Sequence, residues 1–350
     1  GAARCDDTIR YGLLVTTLQE PLILGSRKEM ERLVKFAKED RIDTIYIQVY
    51  RANRPYFPSM IGDSAPYRAC VKSVGEDPLT FLIKKAHASG IKVYAWLNMM
   101  SLAENKNAFI LKKYGPGILT RGPSPKTKIE DYKTDKQYFM EPGDLRVRRE
   151  LVKMTGEMVS AYAGLDGILF DYIRYPDANP PYGYTEANIA RFKKARGRTQ
   201  INEDDPAWKD WKRLQVTETL EALSKKARSI RRDIKISATA CAPYARAYRE
   251  AFQDWSAWYN SGLVDYITLM SYPPDLKSLK EYVREAKEKA PDFKKVNIAV
   301  PAYKLINSVG TFEDQLKFCR ASKPNMCVVF DYESLLKNRA LQNALAEANK

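Results

Sequence analysis

Leu165 to Pro176 read "LDGILFDYIRYP". Ile168, Leu169 and Phe170 make the unbroken apolar run of a strand buried on both faces, as strands of a parallel sheet covered by helices are. Directly behind them stand an acid, a cation and two phenols: Asp171, Arg174, Tyr172 and Tyr175. A strand that ends in such groups delivers them to whatever space lies beyond its C-terminal end.

Seven further runs of the same kind alternate with helical patterns: "YGLLVTTL" (Tyr11 to Leu18), "TIYIQVYR" (Thr44 to Arg51), "KVYAWLNM" (Lys92 to Met99), "KISATACA" (Lys235 to Ala242), "YITLMSYP" (Tyr266 to Pro273), "VNIAVPAY" (Val296 to Tyr303) and "CVVFDYES" (Cys327 to Ser334). With "GILFDYIRY" (Gly167 to Tyr175) in fourth place they make eight. The helices between them carry start and stop signals. Ser26 and Glu29 have capping-box spacing. Asp77 and Pro78 open a helix that Gly90 ends, and Thr311 opens another. Strict alternation predicts a parallel sheet, and eight units predict closure as a single (β/α)8 TIM barrel over residues 1–350, of the α/β class. The rival open sheet usually carries a glycine-rich phosphate loop after its first strand, and "TTLQEPLILGS" holds no G-x-G-x-x-G.

Strand spacing locates the working face. The last four runs start at Lys235, Tyr266, Val296 and Cys327, about 31 residues apart, close to one bare βα unit. Surplus chain follows strands two, three and four, in Arg51 to Asp77, Met100 to Pro142 and Pro176 to Pro206. These are βα loops, on the face where barrel enzymes keep their active sites.

Composition excludes several classes. With 45% apolar residues a proper core is available, and no long uncharged apolar run suggests a transmembrane segment. His87 is the one histidine, at the end of a helix, and a surface or packing role is expected for it. Five scattered cysteines without C-x-x-C complete a pattern that argues against a zinc or haem site, and no metal or cofactor is implied. The 58 Lys and Arg against 43 Asp and Glu give a net charge of +15, which favours an anionic neighbour. Much of that excess sits in helical stretches such as "KKARSIRR", where a solvated face accounts for it. No nucleic-acid motif is present, so nucleic acid is not an expected partner. The opening "GAARCDDTIR" has no Met, and a periplasmic or extracellular location with a removed signal sequence is the expectation. A monomer is expected.

Groups at the C-terminal ends of barrel strands converge on one mouth. Those expected there are Tyr50 and Arg51 from strand two, Trp96 and Asn98 from strand three, and Asp171, Tyr172 and Arg174 from strand four. Tyr272, Tyr303, Asp331 and Glu333 follow from strands six, seven and eight. Hydrolysis of a glycosidic bond needs two carboxyl groups, one protonated for the leaving oxygen and one ionised as nucleophile or base. Asp171 beside Arg174 suits the ionised part, and Asp331 or Glu333 suits the other. Trp96 and the tyrosines offer flat faces to sugar rings. Asp331 or Glu333 instead caps the last helix in the plainer reading. Glu104, Glu141, Asp144, Asp177, Glu186 and Asp275 lie on loops within reach of the mouth, unranked by sequence, while Asp166 belongs to the opposite, stability face.

At these residues the chain resembles the glycosyl hydrolase-like 10 family of bacterial proteins. The likeness rests on "AHASGIKVYAWLN", "FMEPGDLRVRRELV", "LDGILFDYIRYP" and "DWSAWYNSGLVDYITLMSYP", with "VVFDYESL" closing the fold. The most specific phrase is D-G-I-x-F-D-Y-I-R-[FY]-P. The resemblance implies a (β/α)8 barrel acting on glycosidic bonds, some relatives being linked to cell-wall glycan. It matches Asp171 to the strand-four acid and Arg174 to its companion. Some relatives carry a second Asp where Tyr172 stands, so a mechanism built on adjacent acids does not transfer. The expected substrate is a carbohydrate, with an anionic glycan favoured by the charge, and a catalytically silent glycan-binding barrel is the alternative.

Overall fold

The computed structural model describes residues 10–348 and Lys350, so Cys5 and the opening segment fall outside the described residues. The barrel strands are β1 (Arg10–Val15), β2 (Ile42–Arg51), β3 (Lys92–Asn98), β4 (Gly167–Asp171), β5 (Lys235–Cys241), β6 (Tyr266–Met270), β7 (Val296–Pro301) and β8 (Met326–Phe330). Each pairs in parallel with the next, and β8 pairs with β1, which closes the ring. The TIM barrel is the fold read from the alternation. Arg54–Pro55 adds a short antiparallel pairing to the end of β2.

Alternation along each strand divides the core in two. Ile168 and Phe170 of β4 point outward into the large core between sheet and helices. Leu169 points inward, where it joins Leu14, Tyr46, Tyr94, Trp96, Met326 and Val328 to fill the barrel. Two glycines make room for those rings. A Cβ on Gly12 would meet the Tyr46 ring at 2.8 Å, and one on Gly167 would meet the Tyr94 ring at 2.5 Å. The D-G-I of the opening stretch is thus a packing requirement, because no side chain larger than hydrogen fits against Tyr94.

The expected caps hold at two helices. Ser26 Oγ accepts from Glu29 N at 3.2 Å at the start of Arg27–Glu39, and Asp77 Oδ1 accepts from Thr80 N at 2.9 Å at the start of Pro78–Ala88. The third is displaced: the helix Val309–Ala321 begins after Ser308, not at Thr311. Its fully buried Cys319 is disulfide-bonded to Cys327 on β8. No described helix is long and apolar enough to cross a membrane.

Strands end sooner than the apolar runs suggest. The fourth stops at Asp171 rather than Tyr175, because the Asp171 carboxylate takes the Tyr172 N–H itself at 2.8 Å and Tyr172 turns to a φ of 58°. The surplus after β2, β3 and β4 becomes loops with short helices, including Ala65–Val74 and Glu186–Arg196. Residues 242–254 after β5 add a further wall that the strand spacing did not announce.

Candidate functional site

Inward positions at the C-terminal ends of the strands open into a cleft of about 610 Å³. Asp171, 9% exposed, lies at its floor. Three donors fix the carboxylate: Trp96 Nε1 reaches Oδ2 at 2.9 Å, Thr239 Oγ1 reaches Oδ1 at 2.6 Å, and Tyr172 N reaches Oδ1 at 2.8 Å. Trp96 and Thr239 are the inward residues of the two flanking strands, so the sheet itself supplies the grip. Asn98, in register with Asp171 on β3, lines the cleft, and its Oδ1 is buried with no hydrogen-bond partner.

Arg174 does not bond Asp171. Its guanidinium donates to Tyr175 O at 3.1 Å and to Asp177 Oδ1 at 3.4 Å, and lies 4.6 Å above the Tyr172 ring. Asp177 is taken from the other side by Arg246 Nε at 2.6 Å. Arg174 therefore shapes the wall and acts on Asp171 by charge across space, while the direct hydrogen bonds to the carboxylate come from neutral donors. Tyr172 lines the cleft and stacks on Phe139 with ring centres 6.0 Å apart. Tyr175 turns away, packs against Phe252 and donates to Glu141.

The remaining expected residues divide by strand parity. Arg51 and Tyr272 line the cleft. Burial, with the Asp171 charge behind it, pushes the Tyr272 phenol well above its ordinary range, which keeps it a neutral donor. Tyr303 stands at the rim, 37% exposed, edge-on to Tyr272 and Phe330. Tyr50 is displaced from the expected mouth: the β2–β3 register slips between Gln48 and Tyr50, and the extra residue turns Tyr50 into the outer core, where its hydroxyl accepts from Asn53 Nδ2 at 3.1 Å. Gln48, which the same strand end brings to the mouth, lines the cleft beside Arg51 as expected.

The two acids after β8 are not among the residues lining the cleft. Phe330 is the inward residue there, so Asp331 has the opposite parity and caps the helix Tyr332–Lys337, accepting from Ser334 N at 3.1 Å and Ser334 Oγ at 2.6 Å. Burial raises its carboxyl above the ordinary range. Glu333 sits in that helix's first turn with Lys337 Nζ at 2.6 Å. The acids that do line the cleft besides Asp171 are Glu104, Asp135 and Asp177. Against these four acids stand Arg51, Lys136, Arg174 and Arg246, so the cleft carries no share of the excess positive charge.

Sequence reasoning missed Thr239, Cys241, Arg246 and Gln253. The signal for the first two was present, since Ser237, Thr239 and Cys241 alternate along "KISATACA" as a polar inner face would. Gln253 ties the β5 loop down by accepting from Cys241 N at 2.9 Å and donating to Ile173 O at 3.1 Å. Asp166 and His87 pair at the opposite end of the barrel, 2.7 Å apart. Among the described residues no group of three His, Cys, Asp or Glu side chains is placed to hold a metal ion.

Known proteins agree with this architecture. The glycosyl hydrolase DigH of Escherichia coli K12 is 24% identical over 262 residues, 69% of this chain and 57% of its own length. The chain thus spans little more than half of that relative. Among solved structures, the catalytic domain of a β-amylase from Paenibacillus polymyxa superposes with a TM-score of 0.67 at 10% identity, covering 98% of this chain and 99% of that one. A β-galactosidase from Rahnella sp. R3 superposes with 0.64 at 12% identity, over 99% of this chain and 56% of that one. Both show the fold alone. Residues 11–314 match the family described as Glycosyl hydrolase-like 10, and the chain belongs to that family.

Proposed function

We propose that the protein hydrolyses O-glycosidic bonds of an oligo- or polysaccharide, with Asp171 as nucleophile or base. The observation that carries this reading is the placement of Asp171 on the cleft floor, set by Trp96, Thr239 and Tyr172 N as a hydrogen-bond acceptor. Positioned carboxylates of this kind act in glycoside hydrolysis in pairs, one assisting the leaving oxygen and one attacking or activating water. The second member of the pair comes from the cleft wall. Asp177 is engaged by two guanidiniums and Glu104 lies 3.9 Å from Lys133 Nζ, which leaves Asp135 as the first candidate for proton donor and Glu104 as the second. Trp96, Asn98, Tyr172, Arg51 and Tyr272 would contact the sugar, and Tyr303 would meet it at the rim.

The substrate class stays broad. The name of the relative DigH supports a glycan, and the balanced charge of the cleft gives no local support to the anionic glycan suggested by composition. Reducing-end release from a panel of neutral and acidic polysaccharides, including peptidoglycan-derived strands, tests the reading. Cleavage by the natural chain that Asp171→Asn abolishes would support it. Cleavage retained by Asp171→Asn would remove Asp171 from the chemistry.

A second reading is a glycan-binding barrel without turnover. Its motivation is that both β8 acids stand outside the cleft lining and that, among the described residues, no second carboxylate is bonded to Asp171. Binding of panel members without cleavage of any would favour it.

A further inference from the structure

Glu141, from the "FMEPGD" stretch, is fully buried, and among the described residues no Lys, Arg or His pairs with it. Instead four donors converge on its carboxylate. Tyr175 Oη and Gly143 N, the latter at 3.2 Å, serve Oε2, while Thr120 Oγ1 at 3.2 Å and Thr185 Oγ1 at 3.3 Å serve Oε1. Burial pushes this carboxyl upward and the four hydrogen bonds oppose it. The buried Lys212 ammonium acts on it only across space, without a direct ion pair, and a buried acid with no cation in contact is costly, where an amide or apolar residue would fill the space more cheaply.

The donors come from different elements. Thr120 and Gly143 belong to the loop after β3, Thr185 caps the helix Glu186–Arg196 in the loop after β4, and Tyr175 lies four residues beyond Asp171. Thr120 Oγ1 also accepts from Gly183 N at 3.0 Å. Tyr175 N donates to Ala251 O at 3.0 Å, which adds the loop after β5. The short segment between Asp171 and Tyr175 carries Tyr172 and Arg174, both in the cleft. Its near end is fixed by Asp171 and its far end by Glu141.

We infer that Glu141 is a positioning residue, which acts through Tyr175 to hold the segment Tyr172–Tyr175, and with it the Tyr172 N–H on Asp171, in the working arrangement. This rests on the proposed hydrolysis only where kinetics are the readout. It makes Glu141 more than a joint in the wall, because a joint would affect stability without touching the turnover of bound substrate.

The test compares the full chain with Glu141→Gln and Tyr175→Phe by hydrogen exchange and, on a cleaved panel member, by kinetics. Tyr175→Phe keeps the ring against Phe252 and removes only the hydroxyl, so it covers the case in which Glu141→Gln fails to fold. Exchange at residues 172–175 should rise about tenfold or more in the variants, with β6, β7 and β8 unchanged. Turnover should fall on the order of ten- to a hundredfold with KM nearly constant, and the double variant should be no worse than Glu141→Gln alone. Unchanged exchange at 172–175, a rise spread evenly over the barrel, or an unchanged kcat would overturn the inference. A natural chain that cleaves nothing would count against the proposed hydrolysis, while the exchange measurement would still decide the role of Glu141.

Discussion

Asp166 and Asp171 bracket the same strand, and the molecule uses them differently. Asp166 Oδ2 sits 2.7 Å from His87 Nε2 and accepts from Val93 N at 2.8 Å, so its charge pins the first residues of β3 to those of β4 at the barrel's N-terminal end. Asp171 is held by two inward side chains and its neighbour's N–H, and it faces a cleft. Both are hydrogen-bonded aspartates. Asp166 also borders a cavity, of about 240 Å³ against about 610 Å³ at Asp171, and what separates them is the end of the strand, since the long loops after β2, β3 and β4 enclose the C-terminal end, where barrel enzymes keep their sites.

Four substitutions would break or sharpen that contrast. Asp171→Asn should cost about 10² to 10⁴ in turnover, measured by reducing-end release, with the fold retained in urea titration apart from about 1 to 3 kcal/mol for the hydrogen bond its amide cannot accept. Equal activity would erase the distinction. Asp166→Asn should do the reverse, losing about 1 to 3 kcal/mol of stability with kcat intact. Thr239→Val removes one donor from Asp171, and about 1 kcal/mol, or roughly fivefold in kcat/KM, is the expected loss. Asp331→Asn should be the mildest, since Asn still caps a helix, and activity should persist although the residue follows a C-terminal strand end. Its signature is in pH. Burial raises the Asp331 carboxyl, so between the ordinary carboxylate range and that raised value the folded chain holds more protons than the unfolded one. Stability then falls as pH rises through this window, and the variant should flatten that slope.

The barrel was legible because burial on both faces writes itself as apolar runs, and eight such runs at near-constant spacing leave few topologies. Asp171 was legible for the same reason: it ends an apolar run, and parity carries it inward with Leu169. Tyr50 misled because a one-residue slip in β2 reverses parity without leaving a mark in the composition of "TIYIQVYR". Asp331 and Glu333 misled because an acid after a strand and an acid before a helix are the same letters, and only the Ser334 contacts decide between them. Arg174 lies in the cleft as expected and acts on Asp171 through its charge, but its direct ion pair is with Asp177, three residues on, which no letter of the motif announces. Glu141 gave no signal of its depth, because its donors come from residues 120, 143, 175 and 185, and no local pattern connects them.

The even balance of charge in the cleft has a consequence for capture. A chain of net charge +15 that neutralises its own mouth separates long-range attraction from the contacts made on arrival. Its field can draw a polyanionic matrix toward the molecule as a whole, while the proposed bond-breaking step would see a locally neutral surrounding. Raising ionic strength through the range where the Debye length shrinks from about 10 to 3 Å should then slow encounter with an acidic polymer and leave turnover of bound substrate untouched.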